Sequence, residues 1–150
     1  MQSESSAIAL PPPFKISAVV KDIDKTIEFL SGSAGLGPWE IFEFSPQKEE
    51  LMMGEPFKIK VAWANVGGPL VYELHQPLEG RSVWSQFLET KGEGLHLLAY
   101  SVPSTWEEIV TKLQAQGATM LAGGTYEGKR WCYLETRPGG IRIELTEGTS

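Results

Sequence analysis

The chain has only one cysteine among its 150 residues, Cys132, and it has few positive charges. A lone cysteine cannot form a disulfide within the chain, which is typical of proteins in a reducing compartment. The 13 Lys and Arg residues are outnumbered by 19 Asp and Glu residues, for a formal net charge of −6. Because phosphate contacts need a basic surface, this composition argues against nucleic acid as a partner.

Long hydrophobic runs are also missing. No apolar stretch approaches the length that spans a bilayer, and the first residues lack the basic and apolar regions of a secretory signal. We therefore expect a cytoplasmic protein with no membrane partner. The opening stretch, MQSESSAIALPPP, predicts a flexible N-terminal arm over residues 1–13, followed by one domain over residues 14–150.

A short pattern occurs twice: GGPLVYEL closes at Leu74, and GGIRIEL closes at Leu145. Each copy is the last of four predicted strands, and each half also carries one helix whose apolar residues recur at helical spacing. The predicted order is β-α-β-β-β in each half, over about 14–78 and 93–147, with a linking helix over about 81–91. In each half the single helix covers only one face of the four strands, so the uncovered faces of the two halves must face each other. This predicts an α+β fold of two tandem βαβββ modules whose paired curved sheets enclose a cavity.

Polar residues mark the start of each predicted helix. Asp22 or Asp24 would cap the first helix and Ser82 the linking helix. For the helix of the second half, Ser104 and Glu107 have the spacing of a capping box.

Side chains alternate across a strand, so the residues that face the predicted cavity can be worked out from the sequence. The aliphatic faces should pack on the helices, with Leu97 and Ala99 among them. The residues expected to face the cavity are Lys15, Ser17, Val19, Glu73, His75, His96, Leu98, Tyr100, Arg142 and Glu144. Among these, Lys15, Glu73, His96 and Glu144 occupy matching positions in the two halves and converge on one centre if a pseudo-twofold axis relates the modules.

Other residues have plainer interpretations. His75 precedes a Gln-Pro pair at a strand end, a position typical of a surface histidine. The apolar side chains at period two, Phe57, Ile59, Val61 and Trp63, are expected in the core or at a dimer contact. Arg142 is a candidate for holding an anionic group of a small-molecule substrate.

The stretches VVKDIDKTIEF, GLGPW, YELHQPL, GLHLLAYSV and IRIEL, in this order, resemble the vicinal oxygen chelate superfamily. Among its branches, the sequence is most similar to the methylmalonyl-CoA epimerases and lactoylglutathione lyases. The resemblance covers the chain from Phe14 to Glu147. It implies a homodimer, with Trp39 near the mouth of the cavity.

The resemblance also implies a divalent metal held by the residue at position 15 together with Glu73, His96 and Glu144. Lys15 departs from this pattern, because a protonated ammonium has no lone pair for a metal. Lys15 could turn outward and leave three protein ligands plus water, or His75 could supply the missing ligand. Alternatively, the ammonium itself would balance the two carboxylates.

Two functions follow from these alternatives. With a metal, the chain would be a lyase, isomerase or epimerase acting on a small carbonyl compound. Glu144 or Glu73 would remove a proton next to the carbonyl, and the ion would stabilise the enediolate. Lys15, His75, Trp39, Tyr100 and Arg142 would then contact the substrate. Without a metal, it would be a small-molecule binding protein of the bleomycin-resistance kind, with Lys15 neutralising the cavity glutamates.

Overall fold

A computed structural model describes residues 8–103 and 105–148 of the chain. The first half contains β1 (Lys15–Val19), α1 (Ile23–Ala34), β2 (Trp39–Phe44), a short 3₁₀ turn (Lys48–Glu50), β3 (Lys58–Asn65) and β4 (Val71–Glu79). The linking helix α2 (Val83–Lys91) follows. The second half contains β5 (Gly94–Val102), α3 (Trp106–Ala115), β6 (Thr119–Tyr126), β7 (Lys129–Glu135) and β8 (Arg142–Glu147). None of the helices in these described ranges is long and apolar enough to cross a membrane.

All eight strands join one sheet, in the order β2-β3-β4-β1-β5-β8-β7-β6. Within each half the first strand pairs in parallel with the last, β1 with β4 and β5 with β8. The halves meet where β1 pairs antiparallel with β5 at the centre of the sheet. The curled sheet confirms the predicted α+β fold of two βαβββ modules.

The sheet has an outer face covered by helices α1 and α3 and an inner face that encloses a cavity. Val20, Ile23, Ala62 and Leu74 pack together between α1 and the outer face, and a larger cluster that includes Trp106, Leu134 and Leu145 lies between α3 and this face. The inner face carries a separate cluster of Val19, Phe57, Ile59, Val61, Trp84, Leu97, Trp131 and Tyr133. Trp84 brings α2 onto the inner face, where it closes one side of the cavity.

Two of the predicted helix caps are present. The Asp22 carboxylate accepts a hydrogen bond from the Lys25 amide at 3.0 Å, and the Ser82 hydroxyl accepts one from the Ser85 amide at 3.1 Å. Each satisfies an amide that has no partner inside its helix. The predicted cap at Ser104, and residues 1–7 of the predicted N-terminal arm, lie outside the described residues.

The long loop between β2 and β3 crosses to the second module. Leu51 forms a β-bridge with Gly124 of β6, and the Met52 amide donates to the carbonyl of Gly123 at 2.8 Å. A side chain at position 124 would collide with the Glu50 carbonyl, so only glycine permits this close approach. The loop therefore ties the free edge of one module to the free edge of the other.

A β-bulge in β5 changes which residues face the cavity. Ser17 pairs with Leu97 and Ala18 with Leu95, so His96 is an extra residue in the strand. From His96 onward, the residues of β5 that face the cavity are therefore shifted by one position relative to strict alternation. Ala99, for example, pairs with both Lys15 and Glu144 on the inner face.

The predicted orientations along this strand are therefore wrong, except that of His96. Leu97 belongs to the inner cluster and Ala99 faces inward, although both were expected on the helix face. Leu98 pairs with Ile143 on the outer face, and Tyr100 packs against the outer cluster under α3. His96 remains on the inner face because the bulge brings it there together with Leu97.

The core under α3 provides a test of the fold. Leu134 is fully buried, and Leu134→Ala should lower the free energy of unfolding by about 2–5 kcal/mol because it leaves a cavity among large side chains. Leu95 is 72% exposed, so the same truncation there should stay within about 0.5 kcal/mol of the wild type. Urea denaturation followed by circular dichroism measures both. Equal losses for the two variants would contradict this packing.

Candidate active site

The inner face encloses a cavity of about 390 Å³ that both modules line. Its walls are largely aromatic, formed by Phe14, Phe42, Phe44, Trp63, Trp84, Tyr126, Trp131 and Tyr133, together with Ile59 and Val61. Four buried polar side chains, Lys15, Glu73, His75 and Glu144, form what we call the floor. Glu127, Lys129 and Arg130 lie at the solvent end, which we call the mouth.

The register of the sheet brings the floor residues together. Lys15 pairs with Ala99 on β5, and Ala99 pairs with Glu144 on β8, so these residues lie in one row across the centre of the sheet. Glu73 on β4 pairs with Ser17, two residues beyond Lys15 on β1. Because residues two apart on a strand share a face, all three charged side chains point into the cavity.

Lys15 forms two buried ion pairs. Its Nζ lies 3.0 Å from an oxygen of Glu73 and 3.2 Å from an oxygen of Glu144. Burial alone would lower the pKa of Lys15, but the charges of Glu144 and Glu73 outweigh it and raise the pKa. The ammonium therefore remains charged and holds two carboxylates that would otherwise repel each other.

Glu73 is held as a carboxylate. Trp63 on β3 donates its indole N–H to one oxygen, and His75 Nε2 lies 3.3 Å from the other. Burial raises the pKa of Glu73, but the Lys15 charge, the His75 interaction and the bonds from Trp63 and Lys15 more than reverse this, so the pKa is lowered. The oxygens of Glu73 are thus occupied by neighbouring side chains.

Glu144 has the opposite character. Burial and the nearby charge of Glu73 raise its pKa, although Lys15 opposes them. The pKa of Tyr133, its partner on β7, is also raised, by burial and by the charges of Glu144 and Glu73, so the phenol stays protonated. Two neighbouring glutamates with pKa values shifted in opposite directions are typical of an acid–base site.

The interpretation of His75 as a surface residue is wrong. Its side chain is buried beside Glu73 and packs its ring 5.3 Å from that of Trp84. Burial lowers its pKa to about 4, with Lys15 adding to the effect against the attraction of Glu73. His75 is therefore neutral at pH 7 and does not add a second cation to the floor.

His96 and Arg142 bond to each other outside the cavity lining. Arg142 donates from Nη1 to His96 Nε2 at 3.0 Å and from Nε to Glu135 at 3.1 Å. Burial, then the Arg142 and His75 charges, lower the pKa of His96 to about 3, so it accepts this bond as a neutral ring. Neither residue lines the cavity.

Trp39 and Tyr100 do not reach the cavity either. Trp39 packs under α1 on the outer face and donates its indole N–H to the Leu36 carbonyl at 2.9 Å. Tyr100 lies on the outer face because of the bulge in β5. Of the five residues predicted to contact substrate, the structure therefore places Lys15 and His75 at the cavity.

The side chains present do not fit a divalent metal. Lys15 places a positive charge between the two carboxylates that would be ligands, and the Nε2 lone pair of His96 is used by Arg142. Within residues 8–103 and 105–148, no three His, Cys, Asp or Glu side chains are arranged to hold one metal ion. The donor set predicted from the resemblance is thus replaced by a site in which the cation is a lysine.

Sequence reasoning missed the aromatic walls. Phe57, Ile59, Val61 and Trp63 were expected in the core or at a dimer contact, and the burial of the first three in the inner cluster confirms the core expectation. Ile59, Val61 and Trp63 also line the cavity, which was not expected. Their period-two spacing was a valid signal of a shared face. Only the curl of the sheet shows that this face surrounds a cavity rather than a filled core.

Comparison with known proteins identifies the family. The Glyoxalase/Bleomycin resistance protein/Dioxygenase superfamily matches residues 15–134, so the chain belongs to this superfamily. This confirms the resemblance found in the sequence. No curated protein sequence matches the chain.

Solved structures of similar fold include several epimerases. Methylmalonyl-CoA epimerase of Mycobacterium tuberculosis has a TM-score of 0.66 at 22% identity, with 98% of this chain and 97% of that chain covered. A hypothetical protein of Bacillus halodurans has a TM-score of 0.67 at 23% identity, covering 92% and 94%. A methylmalonyl-CoA epimerase in complex with methylmalonyl-CoA and NH₄⁺ has a TM-score of 0.63 at 21% identity, covering 93% and 96%. At these identities the likeness shows the fold.

The lowered pKa of His96 predicts a pH-dependent stability. The unfolded histidine gains a proton below pH 6.5, whereas the folded ring does so only near pH 3. Its stabilising contribution is therefore complete above pH 6.5 and is lost as the pH falls. Between about pH 7.5 and pH 5 the loss should be about 1–2 kcal/mol for this group.

His96→Gln retains an acceptor for Arg142 but does not titrate. We expect its free energy of unfolding to fall less than that of the wild type between these two pH values, by about 1–2 kcal/mol. Urea denaturation at both pH values measures the difference. Parallel pH profiles for the two proteins would show that His96 is not buried as a neutral ring.

Proposed function

We propose that this protein is an enzyme of the isomerase, epimerase or lyase type that removes a proton from the carbon next to the carbonyl of a small molecule. The proposal rests mainly on one observation: two buried glutamates with opposite pKa shifts share one lysine at the floor of an enclosed cavity. Membership of a superfamily with epimerase structures of the same fold supports it.

Glu144 is the base in this proposal. A general base works best when its pKa lies near the working pH, and the Glu144 pKa is shifted upward toward that range. Glu144 lines the cavity, and its polar contact among the described residues is the ion pair of one oxygen with Lys15. Glu73 is a weaker base, because its pKa is lowered and its oxygens are already engaged.

Lys15 stabilises the negative charge that proton removal creates. An ammonium has three N–H donors, and the contacts with Glu73 and Glu144 use two of them. The third is available for the carbonyl oxygen of a substrate in the cavity. A fixed positive charge in a dry site stabilises an enolate oxygen much more than it would in water.

Glu73 acts as a positioning residue. It anchors Lys15 at 3.0 Å and is itself held by Trp63 and His75. This fixes the ammonium between the two halves of the sheet. The metal dependence predicted from the resemblance is not part of the proposal, because Lys15 already supplies the cation. A similar fold is known in complex with both methylmalonyl-CoA and NH₄⁺, so this fold accommodates an ammonium ion together with a substrate.

Deuterium exchange tests the reaction class directly. Benzyl methyl ketone, a small ketone with acidic hydrogens next to its carbonyl, and methylmalonyl-CoA serve as probes in deuterium oxide, and NMR follows deuterium incorporation above the buffer rate. We expect the wild type to catalyse exchange in at least one probe, with full activity in EDTA. Glu144→Gln should lose about 10²-fold or more in rate, because it removes the base.

Glu135→Gln is the matched control, since Glu135 bonds to Arg142 outside the cavity lining. It should retain the wild-type exchange rate. Binding of the probes without any exchange would refute the enzyme proposal and favour the alternative of a binding protein.

Lys15 provides a second test. Lys15→Met should slow exchange by about 10²–10³-fold, because it removes the charge that stabilises the enolate. In the wild type Lys15 lowers the pKa of Glu144, so removing its charge should raise that pKa further. The pH range over which the exchange rate rises as Glu144 loses its proton should therefore move to higher pH.

Lys15→Arg, which restores a positive charge, should recover part of the rate. Circular dichroism checks that both variants fold. A Lys15→Met variant with an unchanged rate and pH profile would contradict the role of the ammonium.

A further inference from the structure

We infer that the substrate of this cavity is an uncharged, largely aromatic carbonyl compound rather than an anionic acid or a nucleotide-bearing thioester. That this compound is a substrate rests on the proposed function, whereas the binding preference follows from the charges and walls of the cavity alone. Four features of the cavity support it: the charge of the floor, the walls, the mouth and the size.

The floor has no positive charge to spare. Lys15 is the one cation among the floor residues, and it is paired with two carboxylates. His75 is neutral, so the floor is either neutral, with Glu144 protonated, or negative by one charge. A substrate carboxylate placed beside Lys15 would meet Glu73 and Glu144 in a dry site, where like charges repel strongly.

The walls favour a flat apolar body. In the first module Phe42 packs edge-on against Trp63, with 5.1 Å between the ring centroids. In the second, Trp131 packs against Tyr133 with 5.4 Å between the ring centroids. Trp84 of α2 contacts Trp131 at 6.3 Å and so links the two groups. Such walls bury aromatic surface and form offset or edge-on ring contacts with a ligand.

The mouth does not attract a polyanion. Arg130 is neutralised by Glu147 at 2.8 Å and by Glu107 at 3.1 Å, and its guanidinium lies 4.8 Å from the Trp106 ring. Lys129 is accompanied at the mouth by Glu127. Binding of phosphate groups needs a surplus of Lys or Arg, which the cavity-lining residues do not provide.

The size of the cavity agrees with this class. A volume of about 390 Å³ lies near the lower end of the range for small-molecule sites, which is roughly 300–1,000 Å³. It suits one or two rings with a carbonyl group directed toward Lys15 and Glu144.

A matched pair of ligands tests the inference. Benzyl methyl ketone and phenylpyruvate share a benzyl ketone, and the methyl group of the first is replaced by a carboxylate in the second. Quenching of tryptophan fluorescence reports binding, since Trp63, Trp84 and Trp131 line the cavity. We expect the ketone to bind the wild type about 10-fold more tightly or better. Equal or tighter binding of phenylpyruvate would overturn the inference.

Glu144→Gln isolates the electrostatic cause. At a pH high enough to ionise Glu144, it removes a negative charge from the floor with little change in shape, so at this pH phenylpyruvate should gain about 5-fold or more in affinity while the ketone changes little. Glu135→Gln, which removes a negative charge outside the cavity lining, should alter the binding of neither ligand. Unchanged phenylpyruvate binding in Glu144→Gln would contradict the charge argument even if the ketone is preferred.

Failure of this inference differs from failure of the proposed function. If the ketone binds preferentially but no exchange occurs, the ligand class stands and the enzyme proposal fails. If methylmalonyl-CoA is bound and exchanged while the ketone is not, the reaction class stands and the ligand class is wrong. If neither the ketone nor phenylpyruvate binds, the ligand class is also wrong.

Discussion

A single buried ammonium holds this site together. Lys15 lies within 3.2 Å of oxygens from two carboxylates, one from each module, and all three side chains are buried at the floor of the cavity. Burying any one of these charges alone would cost several kcal/mol, and the three are tolerable only because they compensate one another. The paired strands β1, β4, β5 and β8 fix the distances between them, so the electrostatics depend directly on the register at the centre of the sheet.

The proposed chemistry depends on an asymmetry between the two glutamates. Glu73 receives the Trp63 indole, the neighbouring His75 and Lys15, whereas Glu144 shares Lys15 but has no comparable set of donors among the described residues. The two glutamates occupy matching positions in the modules, but their pKa values differ because the neighbouring strands carry different side chains. Trp63 on β3 lies next to Glu73, and Tyr133 on β7 lies next to Glu144. Duplication supplies two carboxylates, and the divergence of their neighbours separates their pKa values.

Membership of the superfamily and the site's own chemistry answer different questions. The family match places the chain in the superfamily, and the solved structures show the fold that it shares with them. Within that fold, this chain has a lysine on β1 paired with a buried glutamate and a cavity lined largely by aromatic side chains. Functions often differ among proteins of one fold because such side chains vary on a constant scaffold. The homodimer and the cytoplasmic location stay predictions.

The sequence by itself determined the elements, their duplication and the inward direction of Lys15, Glu73 and Glu144, because strand alternation and helical spacing are local properties that a repeat makes visible. It could not determine the facing of β5, since one extra residue at His96 reverses the alternation and only pairing with β1 reveals it. Nor could it separate cavity from core along Ile59, Val61 and Trp63, because both environments are apolar. The partners of His96 and Arg142 were likewise decided by tertiary packing, which brings together side chains 46 residues apart.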